Sequence, residues 1–390
     1  MLALTQRMGI KLVPYKVSVK KQDPLFDAKR RKLLSLAAIG SGAAVLGGLS
    51  WLYQKNNQHN RGTLIGNSVG FNKQFHSVVA DWQGHPLFRI PLPERAHGVA
   101  ISQLSRMGFS DAVAFARRPG SYFQVFDYKT GDIKQLIQAE PNRHFYGHGV
   151  FSLDGRYLLA TQGVKETSQG LIGVYDVSDN YKKIDEWHGI GIGPHEIIRL
   201  NNGSYAVGVG GVHTNGREPL NLDTMRPSLT RLDISGNITS QVGLEDKRLS
   251  IRHLGYDQHD LILCGQQYRG EPDDYPSLIA MQRGDEELMP LNAEPEEWAM
   301  FKHYIASIAV VDDYVLATSP PGNCYGIWSI SKNKLLELNP LPDASGVVAH
   351  QGHFFVSSGS GEVVNRSPFD AIQRHNSTVR WDNHWNAIPL

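Results

Sequence analysis

Five histidines recur at related places along this chain of 390 residues. They are His97 in RAHGVAIS, His148 in YGHGVFSLDG, His195 in GPHEIIRLNNG, His253 in SIRHLGYDQ and His384 in DNHW. Imidazole is the commonest protein ligand for borderline transition metals. Three or four rings converging around an open position make a functional metal site. Groups able to orient such rings stand beside them: Glu196 after His195, Arg252 before His253, and Asp382 and Asn383 before His384. No Ser-His-Asp or paired-carboxylate arrangement can be picked out by spacing, so hydrolysis finds no support.

The elements that would position these rings repeat with a period of about fifty residues. RAHGVAIS precedes DAVAFAR and SYFQVFDYKTGDIKQLI, and YGHGVFSLDG precedes YLLATQG and GLIGVYDVSDNYKKIDEW. Four further units, beginning near residues 193, 250, 304 and 344, follow the same order of strand, turn, strand, connection, strand, turn, strand. Each is the length and pattern of one four-stranded antiparallel propeller blade. A seventh assembles from both ends, with NHWNAI at 383–388 as inner strand and three more strands between 63 and 92. The expected fold is therefore an all-β, seven-bladed propeller, six and eight blades being the alternatives. Asp127 and Gly131 in the QVFDYKTGDIKQL turn are scaffold.

In a propeller the start of every inner strand faces the central channel. Those positions are His97, His148, His195, His253, Ser307, Gly346 and His384. They describe an arc of imidazoles at one channel mouth, open at Ser307 and Gly346, suited to iron or copper. A ring of seven strands is expected to be too wide for opposite members to share an ion. His148 and His195 would then form the cluster with one or both of His97 and His253, and His384 would be the remaining candidate. The alternative is structural: WD-type propellers carry a Gly-His pair whose ring hydrogen-bonds within its own blade. YGHG and RAHG fit that pattern; His195 and His384 lack it. His76, His259, His350, His353 and His375 are read as solvated.

Two excursions interrupt the repeat. Residues 210–233, too long for a simple hairpin, offer Arg217, Asn221, Asp223 and Arg226, and would lie near the same mouth if folded over that face. Asp223 and Arg226 are the candidates for touching a substrate or partner. Residues 266–278 offer Arg269 and Glu271. The bland reading of both is a solvated loop with internal ion pairs.

Charge separates the chain into two parts. Residues 1–57 carry ten Lys/Arg and two Asp/Glu, whereas 58–390 hold 29 basic and 36 acidic residues. A domain so balanced is a poor candidate for nucleic acid, which needs a basic face. The leader contains Arg30-Arg31, Leu33-Leu34 and a Gly/Ala-rich uncharged stretch to residue 53. It reads as a twin-arginine export signal, or as a membrane helix. With no evident cleavage site, 33–53 would also serve as a tether to the inner membrane. Either way the body lies outside the cytoplasm, in the periplasm. Two cysteines, Cys264 and Cys324, exclude a disulfide framework and leave a single bridge open.

At GHGVFSLDG, GPHE, LNLDTMRPSL, LSIRHL and DNHW the chain resembles a family of uncharacterised bacterial exported proteins, from about residue 62 to the C-terminus. The resemblance implies a seven-bladed propeller of the YVTN/quinoprotein-amine-dehydrogenase-like superfamily and twin-arginine export. It also implies genes set beside imelysin-type periplasmic iron-uptake proteins and a dihaem oxidoreductase-like protein. The family's motif histidines fall on the same five positions, and no activity is established for it. This chain departs in its long basic leader. The leading expectation is a periplasmic metal-binding accessory to iron or metal uptake. A metal-dependent oxidoreductase or lyase, and an interaction platform without metal, are the alternatives.

Overall fold

The computed structural model describes residues 63–70, 72–104, 108–215, 218–367 and 371–389. The leader, with Arg30, Arg31 and the apolar stretch 33–53, lies outside the described residues, as does Arg217. The described chain is a seven-bladed propeller of four-stranded antiparallel sheets. The inner strands are Ala96–Ile101, Arg143–Phe151, Pro194–Arg199, Leu249–Tyr256, Ser307–Val311, Ala344–His350 and Trp381–Ala387. The last belongs to the seventh blade, where it pairs with Leu64–Val69 near the other end of the chain. Phe75–Ala80 and Pro86–Leu92 complete that sheet, as expected. Closing the ring in this way removes the free edge a last blade would otherwise present.

Packing explains why the inner strands read as nearly continuous apolar runs. Each sheet is covered on both faces by its neighbours, so side chains pointing either way are buried. Seven apolar clusters fill the seven gaps between consecutive blades. Ile65, Val79 and Ile90 meet Val99, Ala114 and Phe126 in one gap. Phe355, Val363, Trp381 and Trp385 join blades six and seven in another. The outer strands, such as Ile133–Gln138, are largely exposed. Their turns are held by short acidic side chains: Asp127 Oδ1 accepts from the amides of Lys129 and Thr130, and Gly131 takes φ 83°. Cys264 and Cys324 are both free and buried, so no bridge joins them. Among the described residues no helix is long and apolar enough to cross a membrane.

Candidate metal centre

Each of the five histidines sits at a break in strand register. The pairing of inner with second strand shifts between Ala96 and Val99, Phe145 and Gly149, Pro194 and Ile197, and Ile251 and His253. In the seventh blade it shifts opposite the stretch that carries His384. A bulge bends the strand and re-aims the side chain at that position, here toward the axis. The blade that carries Ser307 shows no such shift.

The result is a closed ring of imidazoles, where the sequence suggested an open arc. Going round, ring centroids are 4.8 Å apart for His97–His148, 4.7 Å for His148–His195 and 4.8 Å for His195–His253. His253–His384 at 4.7 Å and His384–His97 at 4.6 Å complete it, and the cross distances His148–His384 at 4.7 Å and His97–His195 at 5.3 Å collapse it into a compact cluster. The small residues of blades five and six do not leave a gap. A Cβ at Gly346 would lie 2.7 Å from the Trp385 nitrogen, so the missing side chain lets the strand of His384 close in. The Ser307 hydroxyl is taken up by the Val347 main chain, accepting from its amide at 3.1 Å. Gly147, at φ 99°, leaves room for His97, whose Cβ would lie 2.9 Å from any Cβ placed there. These are the physical reasons for the Gly-His pair in YGHG.

Main-chain clamps fix the ring from behind. The Thr161 hydroxyl lies 3.1 Å from the His148 carbonyl and 2.9 Å from that of His195, tying two blades. Asn67 Nδ2 donates to the His97 carbonyl at 2.8 Å while its oxygen accepts from Ser77.

All five rings are buried, and none makes a hydrogen bond among the described residues. The WD-type arrangement, with the ring bonded inside its own blade, is therefore absent. Burial pushes the imidazoles of His97, His148, His195 and His384 well below the usual histidine range, with mutual repulsion adding to it. His253 is pushed down to about 3 by burial and then by Arg252. At neutral pH the ring is uncharged, the state in which imidazole binds metals. Two sets of three ring nitrogens lie within 4.8 Å of one another: His97, His195 and His253, and His97, His148 and His384. His384 thus belongs to a set, while His148 and His195 fall in different sets.

The surrounding groups are distributed differently from the sequence reading. Glu196 lies beside another ring, that of His253: its carboxylate comes within 3.4 Å of Nδ1 without a hydrogen bond and accepts from the Leu254 amide at 3.0 Å. Burial raises the Glu196 carboxyl, against the opposing influence of His148. Asp382 does not reach His384; it holds Arg95 through two bonds of 2.6 and 2.8 Å. Asn383 is buried with its amide donating to Asp382. Arg252 touches no ring through a hydrogen bond.

The excursion after residue 209 does fold over the face where the inner strands begin, since the Gly210 amide donates to Gly193 and His213 Nδ1 lies 2.9 Å from Ser168 Oγ. Asp223 there pairs with Arg248 at 2.8 Å while 93% exposed, and Arg226 is exposed. Neither is gathered into the ring. On the other side of the ring a cavity of about 470 Å³ runs toward the opposite face. His148, His384 and Glu196 border it at one end, and Gln103, Asn201 and Gln258 at the other. Of the five histidines read as solvated, His76, His350, His353 and His375 prove half-buried, His350 stacked on Trp82 at 4.4 Å, and His259 alone is exposed.

Residues 90–388 match the model of a family described as "Protein of unknown function (DUF1513)". No curated protein matches the chain. Among solved structures the chain is similar to one described as "The crystal structure of BamB from Moraxella catarrhalis". Identity is 14%, the match covers 83% of this chain and 84% of that one, and the TM-score is 0.49.

Proposed function

The chain belongs to the DUF1513 family of proteins of unknown function, and from that premise we propose that its propeller binds one transition-metal ion, iron or copper, in the axial histidine ring. The observation that carries this reading is the set of five buried, neutral imidazoles with no hydrogen bonds. Buried polar nitrogens are normally paired, because leaving them unpaired costs free energy. An ion held by three imidazoles from three blades accounts for each of the two sets. Imidazole suits zinc, copper, iron and nickel, and no thiolate shares the site. His97 is common to both three-nitrogen sets, so one ion with His97 as a constant ligand fits better than two. Bonds of about 2.1 Å put ligand nitrogens roughly 3.3 Å apart, so the rings close in by small rotations on loading. Glu196, beside the His253 ring, supplies a carboxylate at the cavity end, through which the ion enters or leaves.

In this proposal the protein works in the periplasm as an accessory to metal acquisition, receiving or presenting the ion. Arg30-Arg31 and the weakly apolar stretch to residue 53 support export by the twin-arginine route, with 33–53 either removed or kept as a tether. Periplasmic iron-uptake proteins are the proposed partners, on the family resemblance of the motifs. The test is the double variant His148→Ala/His195→Ala, which removes one member from each three-nitrogen set. Chelator-stripped protein is titrated with Cu(II), Fe(II) and Zn(II) by calorimetry. Wild type is expected to take one ion per chain and the folded double variant none. A double variant that binds as wild type does would return the histidines to the scaffold.

A further inference from the structure

A second group of buried polar side chains lies on the face where the inner strands begin. Arg252 is only 2% exposed, and its Nε has no hydrogen-bond partner. No carboxylate pairs with it among the described residues. Its guanidinium lies against Gly210 and Ser250: a Cβ at position 210 would stand 2.9 Å from Cζ and 3.1 Å from Nε. Any side chain there would occupy the guanidinium's place. The charged groups that act on Arg252 are Arg118 and Arg269, both of the same sign. Arg269 donates to Gln267 at 3.1 Å, while its own Nε lacks a partner. Gln267, to which Arg269 donates, is the register partner of Ser250, and Tyr304 is bridged to Gln267 through the main chain. Gln266, register partner of Ile251, is fully buried with both amide atoms unpaired. Arg269 is half-buried, so the group is reached from solvent past it.

A guanidinium removed from water needs a counter-charge, and leaving it without one is strongly unfavourable. Like charges brought beside it add to that cost. Arginine's planar fork matches the two oxygens of a carboxylate or phosphate, which is why converging arginines so often serve oxyanion recognition. We infer that Arg252 and Arg269 form a receptor for a small multivalent oxyanion of the carboxylate or phosphate class. This site adjoins the histidines at His253 but shares no residue with them, and it is tested with no metal bound there.

The test uses metal-free full-length protein at fixed ionic strength, with thermal unfolding and calorimetry read in potassium chloride, sulfate, inorganic phosphate and citrate. Wild type is expected to unfold several degrees higher in at least one multivalent anion than in chloride. Phosphate and citrate distinguish the two sources of the oxyanion. Arg252→Met is expected to be at least as stable as wild type in chloride, because a buried unpaired charge has been replaced by an apolar group of similar length. Arg252→Met and Arg269→Gln should each weaken the anion at least tenfold, and Arg252→Lys should restore only part of the affinity. If Arg252→Met does not fold, the rim variant Arg269→Gln decides. The site is overturned if no multivalent anion stabilises wild type beyond chloride, or if the variants that fold keep the wild-type shift.

Discussion

His97 is the ring that both three-nitrogen sets share, and its neighbours are unequal to it in that respect. Replacing it by alanine is expected to abolish metal binding in a titration of stripped protein. His148→Ala or His195→Ala alone leaves one complete set and should weaken binding without removing it. Equal losses in all three variants would show that the sets are not separate. His144 gives a different test at the same scale. Burial holds its imidazole down to about 4, with Arg118 and Lys165 pushing the same way. Between pH 6.5 and 4 the unfolded chain takes up a proton that the native chain refuses, so native stability falls as pH falls through that window. The whole effect is bounded at about 3 kcal/mol. The axial rings, neutral for the same reason, act in the same direction. His144→Gln should make the acid side of a chemical-denaturation profile shallower by about one proton; an unchanged slope between pH 6.5 and 4 would contradict this. Sequence spacing found all five axial histidines, because their place at the start of a repeated strand is itself periodic. It missed Arg95 as the partner of Asp382, since 287 residues separate them and only ring closure brings them together.

The inner strands do more than line the channel, because each strand bearing a histidine is bulged where its ring leaves the sheet. Bulges leave almost no mark on residue type, which is why the sequence suggested an arc of separate rings around a channel too wide to bridge. The bulged strands instead turn the rings inward until they touch. The strand Trp381–Ala387 has two duties, closing the propeller and carrying His384. Trp385 on it is buried and packs edge-on to Trp381 at 4.8 Å. Trp385→Ala is expected to cost about 3–5 kcal/mol by opening a cavity between the sixth and seventh blades. It should also lower metal affinity, because His384 loses its support. Urea unfolding and a metal titration on the same sample check both, and a stable variant with full affinity would separate the strand's two duties. Thr161→Val, which removes the clamp on the His148 and His195 carbonyls, is a milder case, expected to cost about 1–2 kcal/mol.

At the scale of the whole molecule, the blade count and the pairing of the chain ends were legible because a fifty-residue period admits few ways to close. The seven inter-blade clusters follow from that closure, and each draws on residues the strand patterns already mark as apolar. The closing-in of the ring past Ser307 and Gly346 was not legible, since it depends on how far two small residues let neighbouring strands approach. The arginine pair was only half visible: Arg252 and Arg269 stand in different motifs of one blade, and spacing does not show that each is left with an unpaired Nε. The central claim is that the axis of this propeller is a metal site. Elemental analysis of protein purified from the organism that makes it, without affinity to immobilised metal, tests this most directly. The account predicts about one equivalent of iron or copper per chain, lost on replacing His97 by alanine. Wild-type protein containing no transition metal, and taking none up when it is supplied, would contradict it.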